Sequence, residues 1–171
     1  MVGGAVGSLG AAGPRRRNMV LLCAAVAAAP DLDVLGFFLG VPYAHPLGHR
    51  GLTHSVPFAL AVGLTTGLWF RRRAYARPGW CGILVGLACI SHGVLDGLTD
   101  AGLGVGFAVP FSDTRWFWPW RPIMTSALDP RAVFSSRGMQ ILLNEALWIA
   151  LPTLLLLMVR TALRKNRRSS L

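Results

Sequence analysis

The sequence predicts an all-α, polytopic membrane protein with about four transmembrane helices plus a short N-terminal helix. Three observations lead there. Of its 171 residues 53% are hydrophobic and only 14% charged, against about 25% charged in an average soluble domain. The apolar residues fall into a few runs. Most of the basic residues border those runs: Arg15–Arg17, Arg71–Arg77 and Arg160–Arg168 hold three, four and five of the 17. That is how positive loops anchor spans on the cytoplasmic side. The net charge of +10 therefore points to membrane lipids as partners and not to nucleic acid.

At this length one domain is expected. Residues 1–13, rich in Gly and Ala, and 18–30 read as two helices of a hairpin. The Ala27-Ala28-Ala29 stretch imitates an export signal, but Pro30 argues against cleavage after it. Val56 to Phe70 is the next run, with Ser55 as N-cap and Pro57 tolerated in the first turn. Trp80 to Leu95 follows, then Ile141 to Val159, where Pro152 predicts a kink. Residues 97–138 form a long connection whose aromatics suit a membrane interface. Residues 1–163 thus make a single helical membrane domain, with 31–54 and 97–138 as non-cytoplasmic loops carrying the site. Residues 164–171 are a basic cytoplasmic tail. Cys23, Cys81 and Cys89 have no pairing motif and are expected as small buried hydrophobes.

With the basic clusters cytoplasmic, all seven acidic residues and all four histidines gather on or near the opposite face. His92 and Asp96, four apart at the end of an apolar run, share one helix face and can bind one divalent ion; Asp100 continues that face if the helix lasts. An unpaired Asp96 within a bilayer costs about 2.5–3.5 kcal/mol on insertion scales. Asp31 and Asp33 after Pro30 are either helix-terminal turn residues or a metal-binding carboxylate pair. His49 and His54 bracket a turn that Gly51 permits, so both rings can face one ion, with Thr53 and Ser55 behind them. His45 has no such context. Arg50, Arg115, Arg121, Arg131 and Arg137 suit a phosphate, or pair with Asp113, Asp129 and Glu145. Glu145 is a general base, a metal ligand or half of an ion pair. No nucleotide loop or serine-hydrolase elbow is present, and nothing sets an oligomeric state.

Pro30-Asp31-Leu32-Asp33, His49-Arg50-Gly51-Leu52-Thr53-His54-Ser55 and Ser91-His92-Gly93-Val94-Leu95-Asp96, followed by Pro110-Phe111-Ser112 and Trp120-Arg121-Pro122-Ile123, resemble the YdjM-like family of inner-membrane metal-dependent hydrolases over residues 1–160. The resemblance implies a helical membrane protein whose His and Asp residues bind a divalent metal, and a distant similarity to helical zinc phospholipases and nucleases. Members usually carry a His just before a Gly/Ala-rich run like Val2-Gly3-Gly4-Ala5, which this sequence lacks.

The resulting expectation is a metal-dependent hydrolase of the inner membrane, its site on the non-cytoplasmic face. It acts on a phosphoester or lipid-like substrate through a metal-activated water. One or two divalent ions, Zn²⁺, are held by ligands drawn from Asp31 or Asp33, His49, His54, His92 and Asp96. Asp33, Arg50, Arg121 and Glu145 are the candidate catalytic residues. The alternative is a non-catalytic metal-binding membrane protein for structure, sensing or transport.

Overall fold

A computed structural model describes residues 1–10, 14–125 and 135–169; Asp129 and Arg131 lie outside them. The fold is helical: α1 (Val2–Gly7), α2 (Pro14–Ala28), α3 (Val56–Arg72), α4 (Pro78–Gly97), α5 (Ser136–Glu145) and α6 (Leu151–Ser169). Among the described residues there are no strands, only two isolated bridges, Thr99 with Ile123 and Val105 with Trp116.

The helix at α2 does not stop at Pro30. A 3₁₀ segment, Ala29–Leu39, carries it on, with Pro30 at its start, where the absent N–H and the ring's crowding of the carbonyl four residues back coincide with the change of winding. Residues 31–39 are therefore helical, not part of a loop. Arg16–Leu39, Pro78–Gly97 and Ser136–Leu163 are long and apolar enough to cross a membrane. With 17 residues, α3 sits at the low end of the about 17–25 that a span takes.

Close helix pairing rests on glycines four apart. A Cβ on Gly3 would lie 2.4 Å from Ala27 Cβ, and one on Gly7 2.7 Å from the Met19 carbonyl oxygen. Gly63 and Gly82 meet across the antiparallel α3–α4 pair, where each Cβ would reach the other's carbonyl oxygen at 2.8 and 2.5 Å. Lipid tails supply no hydrophobic force between helices, so backbone approach of this kind provides the packing. Met19, Cys23, Phe70, Cys81, Leu84, Val85 and Ala88 fill the core behind these seams. The three cysteines are free and buried, as expected.

The last helix runs from Ser136 to Ser169 with one π turn, Ala146–Ala150, between α5 and α6. This wide turn, closed by the Leu151 N–H on the Ala146 carbonyl, stands where the sequence predicts a kink. It sits just ahead of Pro152, whose ring otherwise crowds the carbonyl four residues back. The helix continues through residues 164–169, so the basic end is not a separate tail. Among the described residues, hydrogen bonds from two of its side chains hold it, beside the Trp148 ring set edge-on to Trp120 at 5.0 Å between centroids. Asn144 accepts from the Met124 N–H (2.8 Å) and donates to the Pro122 carbonyl (2.9 Å). Arg160 donates to the Ser8 carbonyl at 2.8 Å, which ties α6 to the end of α1.

Candidate metal centre

Ser55 caps α3 as the sequence predicts, its hydroxyl accepting from the Phe58 N–H at 3.2 Å. The residues before it form a tight turn, Leu52–His54, that buries His54 against the end of α4. Gly51 serves this turn by its size: a Cβ there would lie 2.1 Å from the Pro46 carbonyl oxygen. The left-handed residue is its neighbour Arg50, with φ +61°.

Four groups converge. Asp31 from the 3₁₀ segment, His54 from the turn, and His92 and Asp96 from α4 each offer a ligand atom, all within 4.8 Å of one another. His54 Nε2 lies 3.1 Å from Asp96 Oδ2 and 4.0 Å from Asp31 Oδ1. His92 Nε2 lies 3.0 Å from Asp31 Oδ1 and 3.6 Å from Asp96 Oδ2. Around a tetrahedral zinc with bonds of about 2.0–2.2 Å, donor atoms stand roughly 3.3–3.6 Å apart. The observed spacings bracket that value.

Polar satisfaction agrees. His54 Nε2 and Asp96 Oδ2 are buried without a hydrogen-bond partner. On its other side, His54 Nδ1 lies 3.1 Å from Asp33 Oδ2 and 3.0 Å from Thr53 Oγ1. That contact places the ring proton on Nδ1 and turns the Nε2 lone pair toward the cluster. Two facing acceptors in a dry place need a shared proton or a cation.

Asp33 is not one of the four. Its Oδ1 takes His49 Nδ1 at 2.6 Å, and its Oδ2 takes the Arg50 N–H (3.1 Å) and the Thr53 hydroxyl (2.8 Å) besides His54. Asp31 and Asp33 sit on a helix of three residues per turn, so positions two apart diverge and cannot form a carboxylate pair. His49 is also outside the cluster, because Asp33 captures its Nδ1; its ring lies edge-on to His54 at 5.8 Å between centroids. Asp33 is thus a positioning residue rather than a ligand or reacting group. Asp33→Asn is expected to weaken metal binding about 10–100-fold while leaving the helix content intact, measured by zinc competition with a fluorescent chelator.

The arginines are committed elsewhere than expected. Buried Arg50 points Nε at Asp96 Oδ2, 3.3 Å away, and donates through Nη1 to Thr99 Oγ1 (2.9 Å) and the Ala101 carbonyl (3.0 Å). It braces a ligand. Arg115 gives its N–H groups to the carbonyls of Tyr43, His45, His49 and Gly104, clamping the histidine loop to residues 104–116. Nothing in its sequence spacing signals that role. The exposed Arg121 lies over the Phe117 ring, 4.8 Å from its centroid, and does not line the cavity at the cluster. Asp100 leaves the His92/Asp96 face, since α4 ends at Gly97 and its carboxylate accepts the Thr125 N–H at 2.8 Å. His45 is exposed, and its ring Nδ1 accepts a local N–H, from Leu47. Glu145 lines the same cavity as Asp31, His49, Arg50, His92 and Asp96.

Burial alone would lower the His54 pKa, but the contact with Asp33 and the Asp96 carboxylate 3.1 Å from Nε2 outweigh it and raise it from 6.5 to about 9. The proton on Nε2 thereby stabilises the metal-free fold fully below pH 6.5, and that contribution is lost as pH rises through about 9. A cation has to displace this proton. Zinc titration near neutral pH is expected to release about one proton, with the release fading above the raised pKa. Calorimetry in buffers of different ionisation enthalpy measures it, and proton-independent binding contradicts the assignment.

Comparison with known proteins places this chain in a family. The chain is 38% identical over 132 residues to the inner membrane protein YbcI of Escherichia coli (strain K12), covering 77% of this chain and 76% of that one. No solved structure matches it. The family model described as YdjM inner membrane protein matches residues 1–167, and the chain, with its apolar spans and clustered His and Asp side chains, belongs to the YdjM inner membrane protein family.

Proposed function

We propose that the protein is a membrane-bound, metal-dependent hydrolase that acts on a phosphoester or lipid-like substrate through a metal-activated water. The observation that carries this reading is the cluster of Asp31, His54, His92 and Asp96, whose buried His54 Nε2 and Asp96 Oδ2 have no hydrogen-bond partner. Two imidazoles and two carboxylates fit zinc. When bound, a divalent ion lowers the pKa of a coordinated water to about 7 and polarises a phosphoryl oxygen.

The chain's own residues do the rest. Asp33 fixes the tautomer of His54, and Arg50 holds Asp96 while adding positive charge to the cavity wall. Glu145, which lines the same cavity, is our candidate for exchanging a proton with the leaving oxygen. The cavity, about 900 Å³, favours catalysis over a purely structural ion, since structural zinc sites are closed. The basic clusters lie at the opposite ends of α2, α3 and α4 from the cluster, which supports a site on the non-cytoplasmic face.

The experiment is turnover of bis(p-nitrophenyl) phosphate by the purified, zinc-loaded protein. Activity is expected to vanish on chelation and return with zinc. Stoichiometric metal without turnover of any phosphoester tested would leave the metal site and sink the hydrolase.

A further inference from the structure

The cavity at the cluster is larger than a phosphate needs. At about 900 Å³ it stands near the top of the about 300–1,000 Å³ usual for small-molecule sites. One end is polar, formed by Asp31, Arg50, His92, Asp96 and Thr99, and here Arg50 Nε and Asp96 Oδ2 face each other at 3.3 Å, neither with a hydrogen bond. Away from that end its walls are mostly apolar, with the polar side chains of Glu145 and Thr125 among them. Ala24 and Ala28, one helical turn apart on α2, face Leu142, Ala146, Ile149 and Ala150 of the last helix.

The gap has a structural origin. Helix α2 packs mainly on α1 and α4, whereas the last helix meets the N-terminal pair through α1, where Arg160 holds Ser8. Small side chains on both walls keep the gap wide. Both walls belong to helices long and apolar enough to cross a membrane, so the cleft can take up a hydrocarbon chain from the side.

We infer that the substrate is an amphiphile with a phosphoester head and a hydrocarbon chain, the head at the Asp31–His54–His92–Asp96 cluster and the chain between α2 and the last helix. Ala24, Ala28, Ala146 and Ala150 then set how large a chain is accepted. This inference rests on the reading of the site as a phosphoesterase, and names its substrate class.

Binding of two non-hydrolysable probes, ethyl phosphonate and octyl phosphonate, to the zinc-loaded protein in detergent tests it. Each methylene taken out of water is worth up to about fourfold in affinity, so the octyl compound is expected to bind at least about tenfold tighter. Ala24→Phe and, on the other wall, Ala146→Phe are expected to erase most of that ratio while ethyl phosphonate binding persists, which also reports a folded head site. Leu21→Phe, exposed on α2 but off the cavity, is expected to change nothing and controls for uptake into detergent.

Equal affinity for both probes, binding of neither, or a ratio unmoved by both wall variants overturns the inference. If one Phe variant loses both probes, the other decides; if both do, the wild-type ratio decides. Turnover of short and long phosphodiesters without chain preference would overturn the inference and keep the hydrolase. A chain preference in binding without any turnover would do the reverse.

Discussion

His54→Ala is expected to leave the purified protein folded and empty of metal, and Asp96→Asn to do the same. His54 has no exposed side-chain surface, and its Nε2 lies nearest Asp96. Deleting the ring removes a ligand, while Asp33 keeps His49, Thr53 and the Arg50 N–H as donors. The lost ring also leaves a cavity, at a cost of about 2–5 kcal/mol that the paired helices absorb, and affinity falls by more than the about 10–100-fold seen when only a supporting residue is removed. Asp96→Ala is a harsher change. It strands the Arg50 guanidinium, 3.3 Å from the lost carboxylate, and breaking a buried pair in this way costs about 3–5 kcal/mol. The asparagine keeps a partner for Arg50 and isolates the metal effect. Elemental analysis after dialysis, beside circular dichroism, measures both. Stoichiometric metal retained by His54→Ala and Asp96→Asn alike would show that the ion is held elsewhere.

The second large effect comes from a residue with no chemistry of its own. Gly93 lies between His92 and Asp96 on α4, and a Cβ there would stand 2.7 Å from the His54 carbonyl oxygen. Backbone cannot swing aside as a flexible side chain does, so Gly93→Ala pushes the His54 turn off α4. Overpacking of this kind costs about 1–3 kcal/mol, which the rest of the α3–α4 seam can absorb. The site cannot, since a displacement of about 1 Å at reacting groups costs on the order of 100-fold in rate. Gly93→Ala is thus expected to keep its helix content and lose metal affinity together with any phosphoester turnover. Gly79→Ala on the same helix, where a Cβ meets nothing within 4 Å, is the control. Equal metal binding by both variants would remove Gly93 from the account.

What could be read in advance followed from periodicity. His92 and Asp96 share a face because a helix of 3.6 residues per turn puts positions four apart together, and the Ser55 cap followed from its place before an apolar run. The apolar runs located the long helices. Convergence of distant segments was less accessible. Asp31 and Asp33 look alike in sequence, and only the 3₁₀ geometry after Pro30 sends one to the cluster and the other behind His54. His49 and His54 were expected on one ion, but the Asp33 carboxylate lies between them in the hydrogen-bond network. Arg50 was expected to orient a phosphate, and Arg115 either to face one or to pair with an acidic residue, yet burial committed the first to Asp96 and Thr99 and the second to backbone carbonyls. One legible signal was passed over: Gly3/Gly7, Gly63/Gly67 and Gly82/Gly86 are all four apart, the spacing that lets membrane helices touch.

The four converging side chains enter on three separate stretches of backbone: the extension of α2, the turn ahead of α3, and the end of α4. A cation gripped by all of them rivets the first hairpin to the second. Unfolding must then release it, and at a free concentration 100 times its Kd that adds about 2.7 kcal/mol of stability. The amount of intact protein in the bilayer would accordingly follow the cell's supply of that ion, whatever its substrate.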